Sequence, residues 1–203
     1  MLKRALWPVM AFLAVGVALY AVALLVAPQM RPPFLRNAPF PLALLVHFAG
    51  GGLALALGPF QFRASQRARR PALHRWMGRL YVAAILGSGV AGLALAFYSQ
   101  GGVTAHTGFA SLAALWLATT VAAFLAIRQG DTVAHQRWMI RSFALTFAAV
   151  TLRVYIPVSL SMGVAFETAY PVIAWACWVP NLIVAEWLFV PRVRRTARVE
   201  AVA

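Results

Sequence analysis

Acidic residues are nearly absent from this sequence. Asp131, Glu167, Glu186 and Glu200 are the only four among 203 residues, against 18 lysines and arginines. They are scattered, and no serine, histidine and acid converge in a visible motif, so nothing points to a hydrolytic centre. Cysteine is scarcer still. Cys177 stands alone, which excludes an intrachain disulfide and any multi-cysteine metal site. A histidine-only zinc site is disfavoured as well, because few acidic co-ligands accompany the four histidines. Charge of either sign is rare, at 11% of residues, while 63% are hydrophobic. A soluble domain of this size could not cover so much apolar surface with polar groups.

The chain instead holds six long apolar blocks. They run from about Leu6 to Val26, Phe40 to Phe60, Pro71 to Tyr98, Val103 to Ile127, Thr132 to Leu160 and Tyr170 to Val190. Each is near the ~20 residues that cross about 30 Å of hydrocarbon. In lipid every backbone N–H and C=O must be bonded within the protein, and a helix does this within one segment. The first block is longer than the roughly 7–15-residue apolar core of a signal peptide, so it is read as a retained span. Pro71 suits a first helical position. Gly101-Gly102 predicts a short turn, Gly130-Asp131-Thr132 a stop followed by a cap, and Pro157 a bend late in the fifth block.

The formal net charge of +14 could indicate nucleic acid, but the basic residues cluster at block ends, where membrane orientation is set. With the N-terminus inside, the cytoplasmic ends hold 15 of the 18 basic residues. These are Lys3 and Arg4, six arginines from Arg63 to Arg79, three from Arg128 to Arg141 and four from Arg192 to Arg198. Arg31 and Arg36 fall outside, and Arg153 lies within a span. Both termini are therefore expected in the cytoplasm, with the lipid bilayer as partner and no nucleic acid. The basic loop 61–70 is first an orientation signal and second a site for anionic lipid head groups.

Four histidines are the most informative polar residues. His47 in span two and His106 at the start of span four lie toward the outside. His74 and His135 lie at the cytoplasmic starts of spans three and five. The chain also repeats itself: His74-Arg75-Trp76-Met77-Gly78-Arg79 matches His135-Gln136-Arg137-Trp138-Met139-Ile140-Arg141 after one inserted residue. Leu53 and Leu112 each follow the outer histidine of their copy by six residues. The expected fold is all-α, a polytopic membrane protein of six transmembrane helices with a four-helix core from a duplicated helical hairpin. The expected division is 1–39 for the first span and its loop, 40–160 for the core, and 161–203 for the sixth span and basic tail.

Neutral imidazole is a good axial ligand for haem iron, which has one position on each porphyrin face. The pairs His47 with His106 and His74 with His135 would then hold two b-type haems, one on each side of the membrane. Gly51, Ala54 and Gly58 share a helical face below His47 that could admit a porphyrin edge or a close-packed helix. Arg153 follows His135 by five helical turns, roughly 27 Å. It would neutralise haem propionates, pair with Glu167, or snorkel outward. Arg79 and Arg141 are similar candidates at the inner haem, with cytoplasmic anchoring as the plainer role. Glu186 is expected to pair with Arg75, Arg79 or Arg141, and Asn181 to bond carbonyls freed near Pro180.

The stretches Gly58-Pro59-Phe60-Gln61-Phe62, His74 through Tyr81, Gly130-Asp131 with His135, Trp138 through Phe143, and Pro180-Asn181-Leu182 with Glu186-Trp187 carry a resemblance. Over roughly residues 40–190 the chain resembles the bacterial membrane proteins catalogued as domain of unknown function 2306, which implies a bacterial inner (plasma) membrane protein. More distantly, the histidine placement and Leu73-His74 with Trp76 and Gly78 resemble the six-span cytochromes b of the b561 type. That resemblance implies two haems on the four histidines, although there spans two and four serve the cytoplasmic haem. Three functions follow: a dihaem electron carrier with a redox partner, a small-solute transporter, or a non-catalytic membrane scaffold or assembly factor.

Overall fold

Six helices of the computed structural model are long and apolar enough to cross a membrane: Leu6–Val26, Pro41–Gln61, Pro71–Ala96, Gly102–Arg128, Thr132–Ser161 and Phe166–Phe189. The structure describes residues 2–31 and 40–191, without the side chains of residues 2–5, 64 and 66. Arg36, the four tail arginines, Glu200 and the Lys3 and Arg4 side chains thus lie outside the described residues.

In chain order the helices are α1 (Leu2–Val26), α2 (Pro41–Gln61), the short α3 (Ala64–Arg69), α4 (Pro71–Ala96) and α5 (Gly102–Arg128). Then come α6 (Thr132–Thr146), α7 (Ala148–Ser161), α8 (Phe166–Ala176) and α9 (Val179–Val184), ending in a π-helical turn at Ala185–Phe189. No strand occurs among the described residues. The punctuation follows from local chemistry. Proline opens α2 and α4, where a missing N–H leaves no bond unmade. Gly101 and Gly130 take φ of +91° and +79°, values that favour glycine, and so turn the chain between spans. Asp131 caps α6 by accepting from the Ala134 N–H at 2.8 Å.

Glycines let the helices approach closely. A Cβ at Gly50 of α2 would lie 2.6 Å from the Ala84 carbonyl oxygen of α4. One at Gly89 of α4 would meet Leu117 of α5 at 2.7 Å, and one at Gly108 of α5 would meet Trp175 of α8 at 2.9 Å. Small residues at such crossings replace the hydrophobic drive that lipid does not supply. The centre is polar as well as apolar. The Tyr81 hydroxyl of α4 pairs with Ser142 Oγ at 3.2 Å and Thr146 Oγ1 at 2.9 Å, both on α6. From α5, Trp116 Nε1 donates to Thr146 Oγ1 at 2.8 Å and Thr120 Oγ1 pairs with Ser142 Oγ at 2.8 Å. All five residues are buried, so each hydroxyl satisfies another.

Two spans are broken. The fifth is interrupted at Phe147, ten residues before the bend predicted at Pro157, which stays inside α7. The reason is hydroxyl back-bonding. Thr146 Oγ1 donates to the Ser142 carbonyl at 2.9 Å, a bond that loosens and bends a helix. The sixth span begins at Phe166, four residues earlier than predicted, and breaks at Trp178. Pro180 there opens a new helix, α9, in place of kinking a continuous one. The carbonyl of Cys177, freed at this break, accepts from the Thr151 hydroxyl and from Asn181 Nδ2, the latter at 3.0 Å. The second hydrogen of Asn181 Nδ2 is within reach of Thr151 Oγ1 at 3.2 Å and of the Ala144 carbonyl at 3.3 Å. The role expected of Asn181 is thus met, and the two breaks are tied to each other.

Candidate functional site

The short connections 63–70 and 128–131 lie at one end of the bundle, which carries most of the described arginines and is called here the basic end. Away from it a cavity of about 320 Å³ opens between the spans. All six spans line it, through residues such as Tyr20, His47, Tyr98, Trp116, Arg153 and Tyr170. Its remaining wall is mostly aliphatic and aromatic, with Leu24, Leu44, Phe48, Phe109, Leu112 and Ile156 among the lining residues. Few polar groups on an apolar wall are the ordinary make-up of a small-molecule site.

His47 is fixed by α4. Its Nδ1 lies 3.0 Å from the Ser88 carbonyl oxygen, while Ser88 Oγ donates to the His47 carbonyl at 2.8 Å. A carbonyl only accepts, so Nδ1 holds the proton and Nε2 keeps its lone pair. Gly92 makes the room, since a Cβ there would stand 2.8 Å from Nδ1.

Arg153 lies on α7 in the same cavity wall. Its Nη1 donates to the Ala149 carbonyl at 2.9 Å, its guanidinium faces the Tyr20 ring at 5.4 Å, and its buried Nε has no partner. No ion pair joins it to Glu167 among the described residues. Snorkelling is not seen either. The end of α7 at Ser161 is about 12 Å away along the axis. The guanidinium reaches back instead to Ala149, one turn deeper.

His106 stands apart from this wall. Its Nε2 donates to the Ser99 carbonyl at 2.9 Å, leaving Nδ1 with the lone pair, and it is not a lining residue of the cavity. At the basic end, His135 donates from Nδ1 to the Ala123 carbonyl of α5 at 2.8 Å. His74 receives Gln61 Nε2 on its backbone carbonyl at 3.3 Å and lies within electrostatic range of His135. The structure therefore brings His47 and Arg153 into one cavity wall, while His74 and His135 share the basic end without a hydrogen bond between them among the described residues. No group of three or more potential metal-binding side chains occurs among the described residues.

Of the glycine face below His47, only Gly51 lines the cavity, and Gly58 lies against the Phe143 ring. Glu186 pairs with Arg141, one of its three expected partners, through two bonds of 3.0 and 2.8 Å. The guanidinium of Arg141 also lies 4.7 Å from the Trp138 ring, and that of Arg79 lies 5.1 Å from Trp76, so both copies of the motif make the same contact. Sequence reasoning missed Ser88, Thr146 and the cavity tyrosines. A serine between Gly87 and Gly89 inside an apolar span was the available signal for the first. For the second it was Ser142 and Thr146 at helical spacing of four.

Comparison with known proteins agrees with this architecture. The family described as Predicted membrane protein (DUF2306) matches residues 44–189. No curated protein and no solved structure matches the chain. The match takes in five of the six spans, the four histidines, Arg153 and both helix breaks, and covers well over half of the sequence; the chain belongs to the DUF2306 family of predicted membrane proteins.

Proposed function

We propose that this protein is a small-solute transporter of the bacterial inner membrane, with its binding site in the cavity between His47 and Arg153. The observation that carries the reading is the pair of helix breaks at Phe147 and Trp178. Their neighbours Thr146, Ala148 and Cys177 line the cavity, and Thr151 and Asn181 link the two breaks. Irregular backbone at membrane depth is tolerated where it is buried or lines a cavity, and discontinuous helices are how many transporters form a mid-membrane site. The duplicated-hairpin reading of residues 40–160 supports the same class, since parallel repeats recur in transporters. With the basic end in the cytoplasm, as 15 of 18 basic residues favour, the cavity opens outward. The breaks then serve as hinges by which the spans close over a solute. Proteoliposome swelling in iso-osmotic solutions of neutral, anionic and cationic solutes tests this. At least one solute is expected to enter faster than into empty vesicles. Equal entry for every solute, with the protein folded, sinks the proposal.

A second reading is a b-type dihaem electron carrier. It draws on the Nδ1–carbonyl bonds of His47 and His135, which orient Nε2 as metal-ligating histidines do, and on the placement of His74 and His135 at the same end of the bundle. The outer pair fits poorly, because His106 commits Nε2 to the Ser99 carbonyl and is not among the residues lining the cavity that holds His47. Haem-supplemented expression followed by a reduced-minus-oxidised visible spectrum decides this reading, and the absence of a Soret band ends it.

A further inference from the structure

We infer that the cavity takes a monoanionic oxyacid on an apolar body, its anionic group held by Arg153 and a hydrogen-bond donor beside it held by His47. This rests on the cavity being the solute site. A charge inside a membrane protein is usually paired with an opposite charge or with backbone carbonyls. For Arg153 that pairing is incomplete: the described residues give it no carboxylate, and a single carbonyl, that of Ala149, meets its guanidinium. Only Nη1 is hydrogen-bonded, which leaves the Nε–Nη2 edge of the guanidinium without a partner. That edge matches the two oxygens of a carboxylate or phosphate group.

The count of charges fixes the count on the ligand. Among the described residues Arg153 is the only charged one lining the cavity, so one negative charge balances it and a second would be buried unpaired. The lone pair of His47 Nε2 repels a second anion and accepts from a donor. Around these two groups the wall is Leu24, Leu44, Phe109, Leu112, Leu152 and Ile156, which suits an aliphatic or aromatic body. A free organic acid and an anionic lipid share this chemistry.

The test uses the full chain in phosphatidylcholine nanodiscs, with hexanoate, hexanol, hexylammonium and adipate as probes. Hexanoate is expected to bind at least tenfold more tightly than the other three. Arg153→Gln abolishes that preference and Arg153→Lys retains part of it. Equal affinity for hexanoate and hexanol, or an Arg153→Gln protein that still prefers hexanoate, overturns the inference. Should Arg153→Gln not fold, the probe series on the unaltered protein and on Arg153→Lys decides alone. Adding phosphatidylglycerol to the nanodiscs separates the two sources: a lipid occupant competes with hexanoate, and a free acid is bound as before. Hexanoate preference without solute entry into proteoliposomes sinks transport and leaves this site standing. Entry of neutral solutes without hexanoate preference does the reverse.

Discussion

Replacing Gly50 with alanine drives a methyl group into the backbone of the neighbouring helix. The added Cβ lies 2.6 Å from the Ala84 carbonyl oxygen and 2.9 Å from Ser88 Cβ, where ordinary contact begins at 3.4 Å. A backbone oxygen cannot rotate aside, so α2 and α4 must part by about 0.8 Å. A gap of that size forfeits roughly a quarter to a half of the dispersion attraction at each atom pair near the crossing. It also pulls Ser88 away from His47, whose two bonds to it are 3.0 and 2.8 Å long. Overpacking of this kind costs about 1–3 kcal/mol, and the rigid target puts Gly50→Ala in the upper part of that range. Gly78→Ala is the control, because a Cβ there meets nothing within 4 Å. Alanine's helix-propensity gain over glycine, ~1 kcal/mol, applies to both variants and cancels in the difference. Unfolding by sodium dodecyl sulfate in mixed micelles, followed by circular dichroism, measures that difference. A gap of about 2–3 kcal/mol, or roughly 30- to 150-fold in the folding equilibrium, is expected. Coincident transitions for the two variants would refute the close α2–α4 crossing.

The buried hydroxyl cluster and the ion pair give contrasting expectations. Thr146→Val removes the acceptor of Trp116 Nε1 and one partner of the Tyr81 hydroxyl. Stranding the buried Trp116 N–H costs about 1–3 kcal/mol, while the Tyr81 hydroxyl keeps Ser142. Thr119→Val loses only its bond back to the carbonyls of its own helix and strands no donor on another one, so its loss should be clearly the smaller of the two. The same unfolding titration compares them, and equal losses would remove the network from the account of stability. Glu186→Gln breaks the pair with Arg141, but the side chains are 48% and 19% exposed, so solvent screening limits the loss to about 1 kcal/mol or less. Its signature is salt dependence: raising sodium chloride should weaken the parent protein and leave the variant unchanged.

Composition and local chemistry determined the frame. Apolar blocks of spanning length fix six helices, because backbone groups in lipid have no other way to be satisfied. Pro41, Pro71, Gly101, Gly130 and Asp131 mark their ends through effects that act within a few residues. Glu186 and Asn181 were legible for a similar reason, since a charge and an amide inside a span must find partners and few candidates were within reach. The site was not legible to the same degree. Four histidines at two depths suggest symmetric pairs, yet only the packing decides where each ring turns. Ser88 fixes the His47 ring in the cavity wall, and His106 is bonded to the Ser99 carbonyl without lining the cavity itself. The break at Phe147 falls beside Thr146, which bonds back along its own helix, whereas Pro157, the visible signal in the sequence, stays inside α7. Arg153 could be placed at a depth from helical rise alone. Whether it met Glu167, reached the interface or faced a cavity without a counter-charge depended on side chains from other spans, which only the tertiary structure brings to it.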